Sequence, residues 1–330
     1  MRTRPAGRGG LTVTELSFGA AQIGNLFTAM TDERAIGAVD AAWSADVRYF
    51  DTAPHYGVGL SERRLGAALA RRPRDEFVVS TKVGRLLASD PEGASGRDTD
   101  GFDVPATWRR VRDYSRDGAL RSLDDSQARL GLRQVDIAFV HDPDDHYREA
   151  LEGAFPALEQ LRQEGLIVSY GAGMNQSAML AEFVRHTDLD IVMLAGRYTV
   201  LEQGALDDLL PLCLEHHVSV IAAGVFNSGL LASDRPTPGA RYNYAPAPAA
   251  LVDRANQIAS ICERFGTTLP AAAAQFPLAH PAVASVCLGM RSREQVRRNA
   301  ALFDTSIPVG LWPALKSEGL LREDAPIPGA

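Results

Sequence analysis

The sequence predicts an α/β protein, a closed (β/α)8 (TIM) barrel, on three observations. Eight short apolar, β-branched runs recur along 330 residues. Each alternates with a longer segment of helical periodicity. The runs are apolar nearly throughout, as in FVVST (77–81), VDIAFV (135–140) and VSVIAA (218–223), which is the pattern of parallel strands covered on both faces. A doubly wound open sheet would alternate in the same way, but a count of eight in a chain of this length favours closure.

The strands are expected at 16–20, 47–53, 77–83, 135–141, 167–173, 190–195, 218–224 and 283–289, and the helices at 33–44, 61–71, 114–131, 147–164, 176–186, 203–217, 248–265 and 292–302. Start signals support several helices: Thr31 and Asp32 before Glu33, Ser61 before Glu62 and Arg64, and Ser292 before Glu294. No composition break marks a second domain, so residues 1–330 are expected to form one. Segments 84–113 and 225–247 are too long for turns and follow strand carboxyl ends, where barrels place their sites. They read as lids rather than as disordered insertions, and the Pro-rich tail 306–330 is expected over the same face.

Composition narrows the function. The net charge of −7 disfavours nucleic acid and anionic membranes as partners, since both need clustered excess Lys and Arg. No apolar run approaches the ~18–20 residues of a membrane span, and the Arg-rich start lacks a signal-peptide core. The expected location is the cytoplasm, with Cys213, Cys262 and Cys287 as reduced core thiols. Of 34 cationic side chains only Lys82 and Lys316 are lysines, so a lysine at a strand end is informative.

Side chains just past a barrel strand's carboxyl end face the site. Strand two ends in Asp51, with Thr52, His55 and Tyr56 in the next turn; strand three ends in Lys82 and strand four in His141. Burying any one of these alone would be costly, but Asp51 and Lys82 can pair across adjacent strands. An ammonium beside Tyr56 should lower the phenol's pKa from about 10 toward working pH, and His141 can bond an oxygen held next to it. The four together make a site for proton transfer to or from a hydroxyl or carbonyl oxygen.

The segments YFDTAPHYGVGLSERRLGAAL (49–69), STKVG (80–84) and FVHDPD (139–144) resemble the aldo-keto reductase superfamily in its Asp-x4-Tyr turn, strand-end Lys and strand-end His. The similarity continues through GAGMNQ (171–176), LAGRYTVLEQ (194–203), GVFNSGLL (224–231) and GMRSREQVRRNAALF (289–303), and is greatest with the sugar-oxidising D-threo-aldose (L-fucose) 1-dehydrogenase branch, with pyridoxal 4-dehydrogenases and L-galactose dehydrogenases as near relatives. The resemblance implies a barrel that binds NAD or NADP and passes a hydride between nicotinamide and a carbonyl carbon, giving a lactone from an aldose. It makes Tyr56 the general acid/base, tuned by Lys82 and Asp51, with His141 orienting the substrate. A general aldehyde or ketone reductase, or a non-catalytic cofactor-sensing subunit, are the other activities that the superfamily holds.

The resemblance also assigns cofactor positions. Asn175 would hold the carboxamide, after Met174 in place of a Ser. Ala195 and Ala223 stand where a carboxamide-binding Gln and a stacking aromatic are expected, leaving Arg197, Tyr198 or Phe226 as replacements. Gly289, Arg291, Ser292, Gln295 and Asn299 would take the adenosine end, with helix N-terminal amides for phosphate. An uncharged Gln295 where NADP-preferring members carry Arg favours NAD. A metal site in HDPDDH (141–146) is the weaker reading, because LSFGA (16–20) offers no ligand on the first strand. Polar groups in the lids, Arg85, Asn227, Arg241 and Tyr244, suit a polyol substrate.

Overall fold

The computed structural model describes residues 1–237, 239–243 and 245–329. Its centre is a closed parallel barrel built, among the described residues, from β3 (Leu16–Gly19), β4 (Tyr49–Asp51), β5 (Val78–Val83), β8 (Ile137–His141), β9 (Ser169–Met174), β10 (Ile191–Ala195), β11 (Ser219–Ala223) and β14 (Val283–Gly289). All eight expected strands are present. Sequential strands pair in parallel, and β14 closes on β3 with Gly289 opposite Gly19. Each strand is buried nearly end to end, which explains runs that never alternate.

Helices α1 (Asp32–Ser44), α2 (Leu60–Leu69), α3 (Arg116–Leu130), α4 (Tyr147–Glu149), α5 (Phe155–Gln163), α6 (Ser177–His186), α7 (Leu209–Glu215), α8 (Ala249–Arg264), α9 (Leu269–Gln275), α10 (Arg293–Asp304) and α11 (Leu311–Ser317) surround the barrel. Thr31 caps α1 by accepting from Arg34 N at 3.3 Å, and Ser292 caps α10 by accepting from Gln295 N at 3.2 Å. Ser61 is not a cap. Helix α2 starts from Gly59, and the Ser61 hydroxyl instead joins Thr52 Oγ1 at 2.9 Å and donates to Ala20 O at 2.8 Å. The segment expected as one helix over 147–164 is α4 and α5 joined by a π-helical stretch at 150–154.

Further elements lie outside the βα repeat. An antiparallel hairpin of β1 (Thr3–Ala6) and β2 (Leu11–Thr14) is tied to the barrel's amino end through Arg4, which bonds Glu15, Leu278 O and Val283 O. The first long loop folds as a hairpin of β6 (Arg85–Ser89) and β7 (Trp108–Arg112), and the second carries a short pair of β12 (Arg241–Tyr242) and β13 (Ala245–Pro246). Tyr244 and Pro238 lie outside the described residues. The contacts of the tail are with the outer helices: Trp312 packs on Phe276 with ring centres 5.9 Å apart, Arg254 of α8 donates to Leu320 O at 2.9 Å, and Arg322 reaches Asp207. An apolar helix carrying a buried Trp312 gains more from the wall of α8 and α9 than from the polar mouth.

Candidate active site

Period-two alternation turns Tyr49 and Asp51 on β4, and Ser80 and Lys82 on β5, toward the barrel axis, with Asp51 registered against Ser80. Lys82 Nζ donates to Asp51 Oδ2 at 2.7 Å, to Oδ1 at 2.9 Å and to Thr52 O at 2.9 Å. Both residues are 2% exposed. Burial opposes the ammonium, but the facing Asp51 carboxylate outweighs it and holds the lysine above its ordinary pKa, hence charged.

The next turn brings Tyr56 over this pair, with Lys82 Nζ 4.9 Å from the phenol ring centre. The His141 ring stands edge-on to Tyr56 at 5.8 Å, and His55 at 6.0 Å. All four expected catalytic residues therefore meet at one point above β4, β5 and β8. The expected lowering of the Tyr56 pKa is not found. Burial raises it well above 10, and Lys82 pulls it back only in part because Asp51 opposes that pull. In the resting site Tyr56 is a neutral phenol.

Both histidines are neutral. Burial, followed by the positive charge of Arg85, holds His141 well below its usual range and pushes His55 down to about 2. The Nδ1 atoms of both are buried without a protein partner. The acidic cluster after β8 is engaged by side chains. Asp142 accepts from Arg85 Nη2 at 2.6 Å, Asp144 accepts from Gln176, and His146 meets Glu149 at 2.8 Å. No group of three or more metal-ligating side chains forms among the described residues.

The segment 84–113 supplies a wall that only the structure reveals. Phe102 lies 5.4 Å from the His55 ring and 6.1 Å from the Tyr56 ring. Arg110 fastens the segment by donating to His55 O at 2.8 Å while pairing with Asp98 and, at 3.0 Å, Asp100. Tyr114 donates to His141 O at 2.6 Å, fixing the end of β8. These contacts with the two histidines span between 27 and 55 positions and leave no local pattern. Glu62, wholly buried, accepts from Thr81 Oγ1 at 2.7 Å and Arg129 Nε at 2.5 Å, bracing the strand beside Lys82.

The residues assigned to the cofactor line two other stretches of rim. Asn175 donates to Ala195 O at 3.1 Å, and Phe226 is half-buried after β11. Tyr198 is unsuited to stacking on a ligand: it is 1% exposed with its ring 5.3 Å from Phe276. Arg197 is tied to Glu202 and Asn243, each at 3.2 Å. At the start of α10, Gln295 Oε1 accepts from Arg291 N at 2.9 Å, and Gly289 lies beside Gln22. Arg291 Nε and Asn299 Oδ1 are buried with no protein partner, as is Asn227 Oδ1 after the neighbouring strand β11. An orphaned cationic donor and orphaned amide oxygens beside a capped helix N-terminus fit a dinucleotide with its phosphates and bases.

The aldo/keto reductase family profile matches residues 15–316. The chain is 49% identical over 323 residues to D-threo-aldose 1-dehydrogenase of Pseudomonas sp, covering 97% of this chain and 98% of that one. It is 41% identical over 335 residues to pyridoxal 4-dehydrogenase of Microbacterium luteolum, covering 96% and 97%. The holo form of an aldo-keto reductase from Bacillus halodurans superposes with a TM-score of 0.74 at 26% identity, covering 98% of this chain and 99% of that one. With a matching fold, a matching profile and relatives matched over nearly their full length, this chain belongs to the aldo/keto reductase family and is an NAD(P)-dependent oxidoreductase.

Proposed function

We propose that the whole chain is one aldose 1-dehydrogenase unit that oxidises the anomeric hydroxyl of a D-threo-aldose, L-fucose included, to the lactone. The carrying observation is the Tyr56 phenol packed on the Asp51-paired Lys82 ammonium with neutral His141 edge-on beside it. A nicotinamide held at the barrel mouth would supply the hydride acceptor for the anomeric carbon in oxidation and the hydride donor in reduction. Tyr56 takes the proton of the anomeric hydroxyl, or gives it to the carbonyl oxygen in reduction. Lys82, kept charged by Asp51, stabilises the phenolate, and neutral His141 donates one ring N–H to the same substrate oxygen. Phe102 and the 84–113 hairpin shield the site from bulk water.

Asn175, Phe226, Gly289, Arg291, Ser292, Gln295 and Asn299 would hold the dinucleotide. NAD is favoured over NADP because Gln295 brings no charge and its side-chain oxygen is already engaged by Arg291 N. The free, buried Cys213, Cys262 and Cys287 suit the reducing cytoplasm as its location. The identity to the Pseudomonas enzyme favours a free sugar, and the relative from Microbacterium makes pyridoxal the second candidate. A panel of L-fucose, other aldoses and pyridoxal, assayed for NADH and NADPH formation, tests the reading. The expected result is NADH formed fastest with a D-threo-configured aldose. Turnover of pyridoxal alone would overturn the substrate. Tyr56→Phe is expected to abolish turnover while leaving NAD binding near wild type, and retention of most activity would overturn the proton role.

A further inference from the structure

Asp51 has a second partner besides Lys82. Ser80 Oγ donates to Asp51 Oδ1 at 2.7 Å. Since that uses the only Ser80 hydroxyl hydrogen, the Tyr49 hydroxyl 3.0 Å from Ser80 Oγ must be the donor in their contact. The phenol, the serine and the carboxylate thus form a chain with every hydrogen pointing toward Asp51: Tyr49 to Ser80, Ser80 to Asp51. Tyr49 and Ser80 are wholly buried, so no water substitutes for either, and aligned bonds in such surroundings polarise one another.

We infer that Ser80 and Tyr49 are positioning residues for the catalytic acid/base, acting through Asp51 and Lys82 on the Tyr56 phenol; this rests on the proton role proposed for Tyr56. Two features carry it. The first is register: Tyr49 and Asp51 alternate on β4, Ser80 and Lys82 on β5, and Asp51 lies opposite Ser80, so the chain is built by the strands themselves. The second is that Asp51 Oδ1 is shared between Ser80 and Lys82. The serine therefore fixes the carboxylate rotation that presents both oxygens to the ammonium. The two hydroxyl dipoles also place their positive ends against the carboxylate, partly offsetting its charge as Tyr56 feels it.

The titratable groups around the chain are few. Asp51, Cys287 and Asp136 act on Tyr49; Lys82, Tyr49 and Cys287 face Asp51; and Lys82, Asp51, Asp142, His55 and His141 surround Tyr56. Removing the Ser80 hydroxyl leaves every one of these in place and takes away only the dipole and the anchor. The phenolate then faces a less offset carboxylate, and deprotonating Tyr56 becomes harder.

The test is the pH profile of kcat for NAD-dependent L-fucose oxidation by the full chain. Ser80→Ala is expected to move the limb on which activity rises with pH upward by roughly half to one unit, with NAD binding unchanged. Tyr49→Phe should move it the same way by less, and Ser80→Thr, which keeps a hydroxyl, should restore it. Profiles superimposable on wild type, or a loss of activity that Ser80→Thr does not rescue, would overturn the inference. Should Ser80→Ala not fold, the near-isosteric Tyr49→Phe decides by the presence or absence of its shift. Tyr56→Phe in the same assay separates the two levels. If it retains activity, the Tyr56 reading and this one fall together; if it is inactive while the other profiles stay put, only this one falls.

Discussion

A Cβ added to Gly57 would lie 2.2 Å from the carbonyl oxygen of Gly24. Gly57 has a φ of +61°, so the position excludes side chains both by space and by backbone conformation. The close approach holds the turn carrying Tyr56 against the loop that follows β3. Gly57→Ala should destabilise the fold by about 1–3 kcal/mol from the backbone conformation alone. It should also lower kcat by more than roughly tenfold through misplacement of the phenol. Thermal unfolding and steady-state kinetics on the same preparation measure both.

The Asp51–Lys82 pair is buried and fully hydrogen-bonded, so each half depends on the other. Lys82→Met leaves a carboxylate without its counter-charge and should cost about 3–5 kcal/mol, whereas the double variant Asp51→Asn/Lys82→Met should recover a large part of that. Urea unfolding midpoints of the three proteins give the comparison. All variants of the pair should be inactive.

The raised pKa of Tyr56 sets a direction to the pH dependence. Oxidation needs the phenolate, which is scarce at neutral pH, so its kcat should climb steadily from neutral into the alkaline range. Carbonyl reduction needs the phenol, already present, and should be nearly flat over the same range. A rising oxidation profile beside a flat reduction profile, measured with one enzyme preparation, would support the assignment.

His55 and His141 link stability to acid. Both are held neutral in the folded chain, His55 with its pKa pushed down to about 2. Below about pH 6.5 the unfolded chain takes up protons that the folded one does not, so stability present above that pH is lost as pH falls. Each histidine should contribute a slope of about 1.4 kcal/mol per pH unit in that window. His55→Gln should flatten the fall measured by denaturant titration between pH 6.5 and 4.

Arg110 secures the 84–113 hairpin through His55 O and the buried Asp98 carboxylate. Arg110→Ala should loosen the Phe102 wall and raise KM for the sugar by roughly tenfold, with little change in NAD affinity. Limited proteolysis should show new cleavage within 84–113.

The barrel and the four residues at its mouth were legible because their signals are local. Lys82 ends a run of apolar strand residues, and Tyr56 follows Asp51 within one turn, so strand periodicity places them without knowledge of the rest. Ser80 carries the same kind of signal, two residues before Lys82 on the same face, but it reads as an ordinary strand residue until the Tyr49 hydroxyl is seen to reach it. The sign of the Tyr56 shift is not legible in the sequence, because adjacency to Lys82 is visible there whereas the extent of burial is not. Phe102 and Arg110 left no trace, since their partners at 55, 56 and 98 meet them only after the hairpin has folded back. Tyr198 fell in a plausible stretch, and packing on Phe276 decided its place.

The scarcity of lysine gives the barrel a built-in chemical clock. Lys316 is partly accessible, while Lys82, buried and hydrogen-bonded beneath Tyr56, is shielded from amine-directed reagents for as long as β4 and β5 remain together. Acylation at position 82, read by mass spectrometry against that at 316, would count barrel openings one molecule at a time. Bound dinucleotide should slow that count in proportion to how firmly it closes the mouth.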